Sequence, residues 1–92
     1  MSLPLAISGR VAQCLRVLRF ARVDLADGRI AFIYVHEGEV SPGDDLSGED
    51  LVFTGAGHAT NLTTRNPVAI EVTRVLERGE QPDLQDTMLL MG

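Results

Sequence analysis

Two histidines, one cysteine, a run of acids and a set of arginines are the side chains here that could do chemistry. His36 and His58 are metal-ligand types, with Glu37, Asp44 and Asp45 as candidate co-ligands. Their separation matches no recognised ligand spacing, and acids in turns ordinarily face water. Asp44-Asp45 with Glu49-Asp50 could form paired carboxylates or a calcium loop. The segment lacks the alternate-position oxygen ligands of an EF-hand, so a solvated turn is the stronger reading. Cys14 has Arg16 close by in sequence, and a guanidinium can lower a thiol pKa; a thiol packed into the core is the better account. Gly55-Ala56-Gly57 opens like a dinucleotide loop, but the third glycine position is Thr60 and no good helix follows. Asn61-Leu62-Thr63 spells a glycosylation acceptor that would be idle in a cytoplasmic protein. The residues therefore predict no catalytic centre, no bound metal and no cofactor, and a chain that is not an enzyme.

The arginines are the main functional signal. Arg10, Arg16, Arg22 and Arg29 are the candidate contacts for RNA or an acidic partner. If the region is one strand, Arg16, Arg22 and Phe20 share a side and Arg19 lies opposite, which splits any basic patch. The competing account is a solvated face paired with the acids of 37–50.

The totals constrain these options. Ninety-two residues fit a single domain spanning 1–92, with residues 1–8 an extended lead-in. Apolar residues make up 45%, which argues for a packed core, and without Trp that core must be mostly aliphatic. One cysteine cannot form an internal disulfide, which predicts a reducing, cytoplasmic setting. Met1 to Ile7 is too short and lacks the basic residues of a signal peptide, and no run approaches the ~18 apolar residues of a membrane span. The net charge of −5 is uneven: residues 1–30 carry +3, residues 31–60 carry −6 and residues 61–92 carry −2. An acidic total argues against nonspecific nucleic-acid binding, which depends on neutralising phosphates. All the basic residues are arginine; there is no lysine.

The element that must position these groups is Ile30-Ala31-Phe32-Ile33-Tyr34-Val35, the longest apolar run, with turn signals on both sides. Its β-branched and aromatic members fit a strand buried on both faces. Asp27-Gly28 before it predicts a two-residue hairpin with both residues at positive φ. That hairpin would pair Leu25 with Ile30, Val23 with Phe32 and Ala21 with Tyr34. Residues 19–26 then read as strand, extended back to about Val11, although Val11, Cys14, Leu15 and Leu18 also recur at helical spacing. Gly38 can host a bulge or a bend, and Pro42-Gly43 suits a type II turn leading to Asp44. Leu46 to Asp50 reads as polar loop, Leu51–Thr54 as a short strand, and 58–66 as a surface loop with a short strand at Ala59–Thr63. Residues 66–79 have helix-cap residues at both ends. Their β-branched content and the alternation of Val68, Ile70 and Val72 favour strand. Pro82-Asp83 predicts a turn, and Thr87–Met91 a closing strand. Short strands at this spacing give an all-β fold, a small closed or partly open antiparallel barrel of about six or seven strands.

Gly28, Ile30–Val35, Gly38, Val40, Gly43-Asp44 and Leu46 together resemble the hallmark of one known family. It is the β-barrel that follows the GTPase domain in elongation factor Tu and related translation factors. Ile70–Gly92 is similar to the end of that domain, and the two stretches cover about half the chain. The resemblance implies a barrel that supports a GTPase domain and contacts tRNA or the ribosome. The chain has no Gly-x-x-x-x-Gly-Lys-Ser/Thr loop, so it would be a detached barrel or a fragment, not a GTPase. The expected function is a noncatalytic binding module for RNA, a ribosomal surface or a protein. Self-association through unpaired strand edges is the alternative, and a small metal protein or enzyme using His36 and His58 comes last.

Overall fold

A computed structural model describes residues 7–79. The organising apolar run is strand β3, Ile30–Glu37. Ala31, Ile33 and Val35 face the main core, while Phe32, 1% exposed, is buried on the opposite side, so the strand is covered on both faces. Around it lie β1 (Ser8–Leu15), β2 (Phe20–Leu25), β4 (Asp45–Ser47), β5 (Gly55–Asn61) and β6 (Asn66–Leu76). These six strands close into an antiparallel barrel in the order β1-β2-β3-β6-β5-β4. The expected all-β barrel class is therefore what forms. The turn expected at Pro82-Asp83 and the strand expected at Thr87–Met91 lie outside the described residues.

The topology is two three-stranded meanders joined by one crossing. β3 and β4 stand opposite each other in the ring, so residues 38–44 must traverse a mouth of the barrel. Val40 on that segment is buried in the main core and stoppers this crossover end. At the other, hairpin end, Leu51 does the same from a 3₁₀ turn, Glu49–Val52. Between the stoppers the interior is filled by Val11, Val23, Ile33, Leu46, Val68, Ile70 and Val72. Burying each such side chain contributes about 1.5–3 kcal/mol. A second cluster sits on the outer face of the sheet, where Phe20, Phe32 and Leu76 pack with Ile30. The Phe20 ring stacks on Phe32 at 6.0 Å and meets the edge of Tyr34 at 4.9 Å.

The β2–β3 hairpin corrects the expected register. Its loop has three residues, not two. Leu25 N–H donates to Arg29 O at 2.8 Å, and Gly28 N–H to Leu25 O at 3.0 Å. Only Gly28 takes positive φ, at 96°. Asp27 stays at negative φ because its Oδ1 accepts the backbone N–H of Arg29 at 3.0 Å, a bond that a type I turn followed by a left-handed glycine provides. The added residue shifts the pairing by one, giving Val23↔Ala31, Ala21↔Ile33 and Phe20↔Tyr34. A shift of one exchanges the faces, so Phe32 and Tyr34 point outward and Ala31 and Ile33 inward.

Residues 11–26 are not one strand. Arg16–Arg19 form a turn between β1 and β2. No Gly, Pro or Asn marks it; Arg19 itself adopts φ 55°. Leu51–Thr54 is not a strand: Glu49–Val52 is a 3₁₀ turn. Gly55-Ala56-Gly57, expected to be a loop, begins β5, which pairs with β6 from Gly55↔Val72 to Asn61↔Asn66. The polar loop expected over Leu46–Asp50 contains β4. Residues 66–76 are strand, as the β-branched content predicts. The Pro42-Gly43 turn also forms, with Asp44 N–H donating to Ser41 O at 3.0 Å.

Candidate functional site

The crossover end collects the functional groups. Residues 38–44 lack a neighbouring strand over most of their length, so side chains must hold them. From the β1–β2 side, Arg19 Nε donates to Val35 O at 2.8 Å and its Nη2 donates to Gly38 O. Val35 N–H donates back to Arg19 O at 2.8 Å. This bracket keeps Arg19 in its left-handed conformation, which costs a residue with a Cβ about 1–2 kcal/mol. Arg16 Nη2 donates to Ser41 Oγ at 3.2 Å. Gly38 takes φ 89°, and a Cβ there would come within 2.7 Å of Val68 Cγ1, so only glycine fits under the bracket.

From the β5–β6 side, Asn61 is the pin. It is 0% exposed. Its Nδ2 donates to Asp44 Oδ2 at 2.9 Å and to Glu39 O at 3.2 Å. Its Oδ1 accepts the N–H groups of Thr63 at 3.0 Å and Thr64 at 3.3 Å. Asp44 Oδ2 also accepts Ser41 N–H at 2.9 Å. A buried amide whose donors and acceptors are all engaged explains why this sequon spelling marks no accessible acceptor.

Between the two supports lies a half-open recess of about 160 Å³, lined in part by Cys14, Arg16, Arg19, Glu39, Val40 and Ser41. The Cys14 Sγ lies 3.8 Å from Val40 O. Burial pushes the Cys14 pKa up, outweighing the pull of Arg16 and Arg19, so the sulfur stays protonated at neutral pH. Beside the recess, the turn holds two apolar side chains in water: Val17 is 96% exposed and Leu18 55%.

The four arginine candidates are spread over β1, β2 and the turns at the two ends of the barrel. Arg10 Nε lies 3.1 Å from Asp45 Oδ1 and Arg22 Nε 2.9 Å from Asp24 Oδ1. Arg29 Nη2 lies 2.6 Å from Asp27 Oδ2, at the far end of the barrel. Three of the four candidates are thus neutralised singly, on two strands and a hairpin. Only Arg16 joins the recess. The other histidine and acid candidates also disperse. His36 Nε2 meets Glu71 Oε1 at 3.2 Å, and His58 N–H donates to Asp50 Oδ2 at 2.9 Å. Among the described residues no three metal-ligating side chains come together, and no helix is long and apolar enough to cross a membrane.

Arg19, Val17 and Leu18 are the site residues that the sequence reading missed. One signal was available: Phe20 falls on the polar side of the helix that Val11, Cys14, Leu15 and Leu18 suggest. A turn just before Phe20 resolves that conflict.

Compared with protein-family models, curated proteins and solved structures, the chain finds no match. In the fold, Gly28, Ile30–Val35, Gly38, Val40, Gly43-Asp44 and Leu46 lie in the β2–β3 loop, β3, the crossing segment and β4.

Proposed function

We propose that the chain is a noncatalytic binding module that docks a protein partner at the crossover end, through the Arg16–Arg19 turn. The observation that carries this reading is the exposure of Val17 and Leu18 on a turn held rigid by the Arg19 bracket. The bracket fixes the backbone of the turn, so docking through this pair has little main chain left to order. Leu62, on the β5–β6 turn at the same end, adds a third exposed apolar side chain. A protein is favoured over RNA because Arg10, Arg22 and Arg29 are already paired with carboxylates. The translation-factor resemblance suggests a setting, with a GTPase domain or a ribosomal protein as the partner.

The closed ring weakens the self-association alternative. Each strand has neighbours on both sides, and where β4 is short, Asp50 accepts a β5 amide in place of a strand. A photo-crosslinking residue at position 17 tests the docking, with one at position 54 as the control. A protein adduct that forms at 17, is absent at 54 and is lost in Leu18→Glu supports it. An adduct with RNA alone, or equal protein adducts at both positions, overturns it.

A further inference from the structure

We infer that the recess beside the Arg16–Arg19 turn is a carboxylate subsite, which receives one acidic side chain of the protein partner; this rests on the docking reading above. Three observations meet there. First, the volume of about 160 Å³ has room for a single side chain. It is smaller than the roughly 300–1,000 Å³ of pockets that enclose whole small ligands. Second, neither Arg16 nor Arg19 forms an ion pair with a carboxylate of the described residues, whereas Arg10, Arg22 and Arg29 all do. Third, two guanidiniums, Arg16 and Arg19, line the recess against one carboxylate, Glu39. The charges acting on the Cys14 thiol are Arg16 and Arg19, opposed only by Asp44. Asp44 is itself committed to Ser41 N–H and the Asn61 amide.

The walls choose among anions. Val35, Val40 and the protonated thiol give the recess an apolar side, suited to the methylenes of a glutamate or aspartate. The exposed Val17 and Leu18 lie alongside for the residues that flank it. A nucleic-acid backbone would instead need several free cations in a row, and the neighbouring strands do not supply them. When the carboxylate arrives, Arg16 exchanges its bond to the Ser41 hydroxyl for a charge-assisted one, and Ser41 becomes a second donor. Arg19 stays in its bracket and contributes field.

The test uses the whole chain, ¹⁵N-labelled, titrated with an acetylated, amidated leucine–glutamate–leucine tripeptide and with its glutamine analogue. The glutamate peptide is expected to shift the Arg16 Nε–H and the Val40 and Ser41 amide signals saturably. The glutamine analogue should bind about tenfold more weakly, the worth of one charged hydrogen bond. Arg16→Met, which keeps the alkyl stem, should equalise the two peptides, and Ser41→Ala should narrow the gap. Equal binding of both peptides by the native chain overturns the carboxylate subsite. If that equal binding is lost in Leu18→Glu, the docking reading survives alone; if neither peptide perturbs the turn, both fall. A uridine oligonucleotide that shifts the same signals more strongly than the glutamate peptide also overturns the assignment.

Discussion

The two mouths of the barrel are stoppered by different means. At the hairpin end Leu51 sits on a 3₁₀ turn that makes its own bonds, Leu51 N–H to Gly48 O at 3.2 Å and Phe53 N–H to Asp50 O at 3.1 Å. At the crossover end Val40 rides on a strap whose own bonds, Asp44 N–H to Ser41 O and Ser41 N–H to Asp44 Oδ2, lie at its far end, and which Arg19 and Asn61 hold from two sides. The first closure is local and dense. The second is assembled from residues distant in sequence and leaves a recess, with Val17 and Leu18 exposed beside it, while the hairpin end exposes Phe53. The recess lies at the closure that depends on distant side chains, because such a strap does not fill its own surroundings.

The largest expected effect tests the local closure. Leu51→Ala should destabilise the fold by about 3 kcal/mol in urea denaturation, because a fully buried leucine leaves a cavity. Val40→Ala, which removes fewer atoms at a slightly exposed site, should cost about half as much. Equal costs would erase the distinction between the stoppers. Next comes the pin. Asn61→Ala should cost about 2 kcal/mol, since it strands the Thr63 and Thr64 amides and the Asp44 carboxylate. Its effect on amide exchange should concentrate in residues 38–45 and spare 49–54.

The bracket follows. Arg19→Ala should cost about 2 kcal/mol, combining lost charged hydrogen bonds with a retained left-handed φ. Arg19→Gly should cost about 1 kcal/mol less, because glycine accepts that φ without strain. If the two variants are equally stable, backbone strain is not part of this closure.

The smallest effect belongs to the hairpin end. The Arg29 side chain, and then its backbone N–H, hold the Asp27 carboxyl below the usual range. A carboxylate whose folded pKa is depressed stabilises above its unfolded pKa and loses that contribution as pH falls through the folded value. Acidification below pH ~4 should therefore lower the exchange protection factor of the Arg29 amide, which Asp27 Oδ1 accepts. Asp27→Asn should flatten that profile. The pair is fully at the surface, so the midpoint of global unfolding should barely move.

The same contrast explains what was legible in the sequence. Local chemistry could be read. Pro42-Gly43 gives its turn, the alternation of Val68, Ile70 and Val72 gives β6, and the six-residue apolar run gives the central strand. The hairpin at Gly28 was legible as a hairpin but not in its loop length, because Asp27 uses its side chain where a second positive φ was expected. The Arg16–Arg19 turn left a single trace in the sequence, the misfit of Phe20 in a helical pattern. Its left-handed residue is an arginine that only the carbonyls of Val35 and Gly38 make tolerable. Gly55-Ala56-Gly57 reads as loop in isolation and becomes strand because β6 presents a complete ladder to it. Of the four arginines the sequence put forward, only Arg16 belongs to the recess. Charge could be counted along the chain, but which arginines already had acids beside them depended on strand pairing.

The seam between β3 and β6 ties Ile30 to Leu76. The N-terminal meander can zip from its own turns as soon as it leaves the synthesis machinery. The ring, however, stays open until β6 has been made, and contacts so distant in sequence form slowly. A nascent chain halted before Asn66 would present the unpaired rim of its most apolar strand to the crowded surroundings. Prompt delivery of the final strand is thus a condition for escaping aggregation.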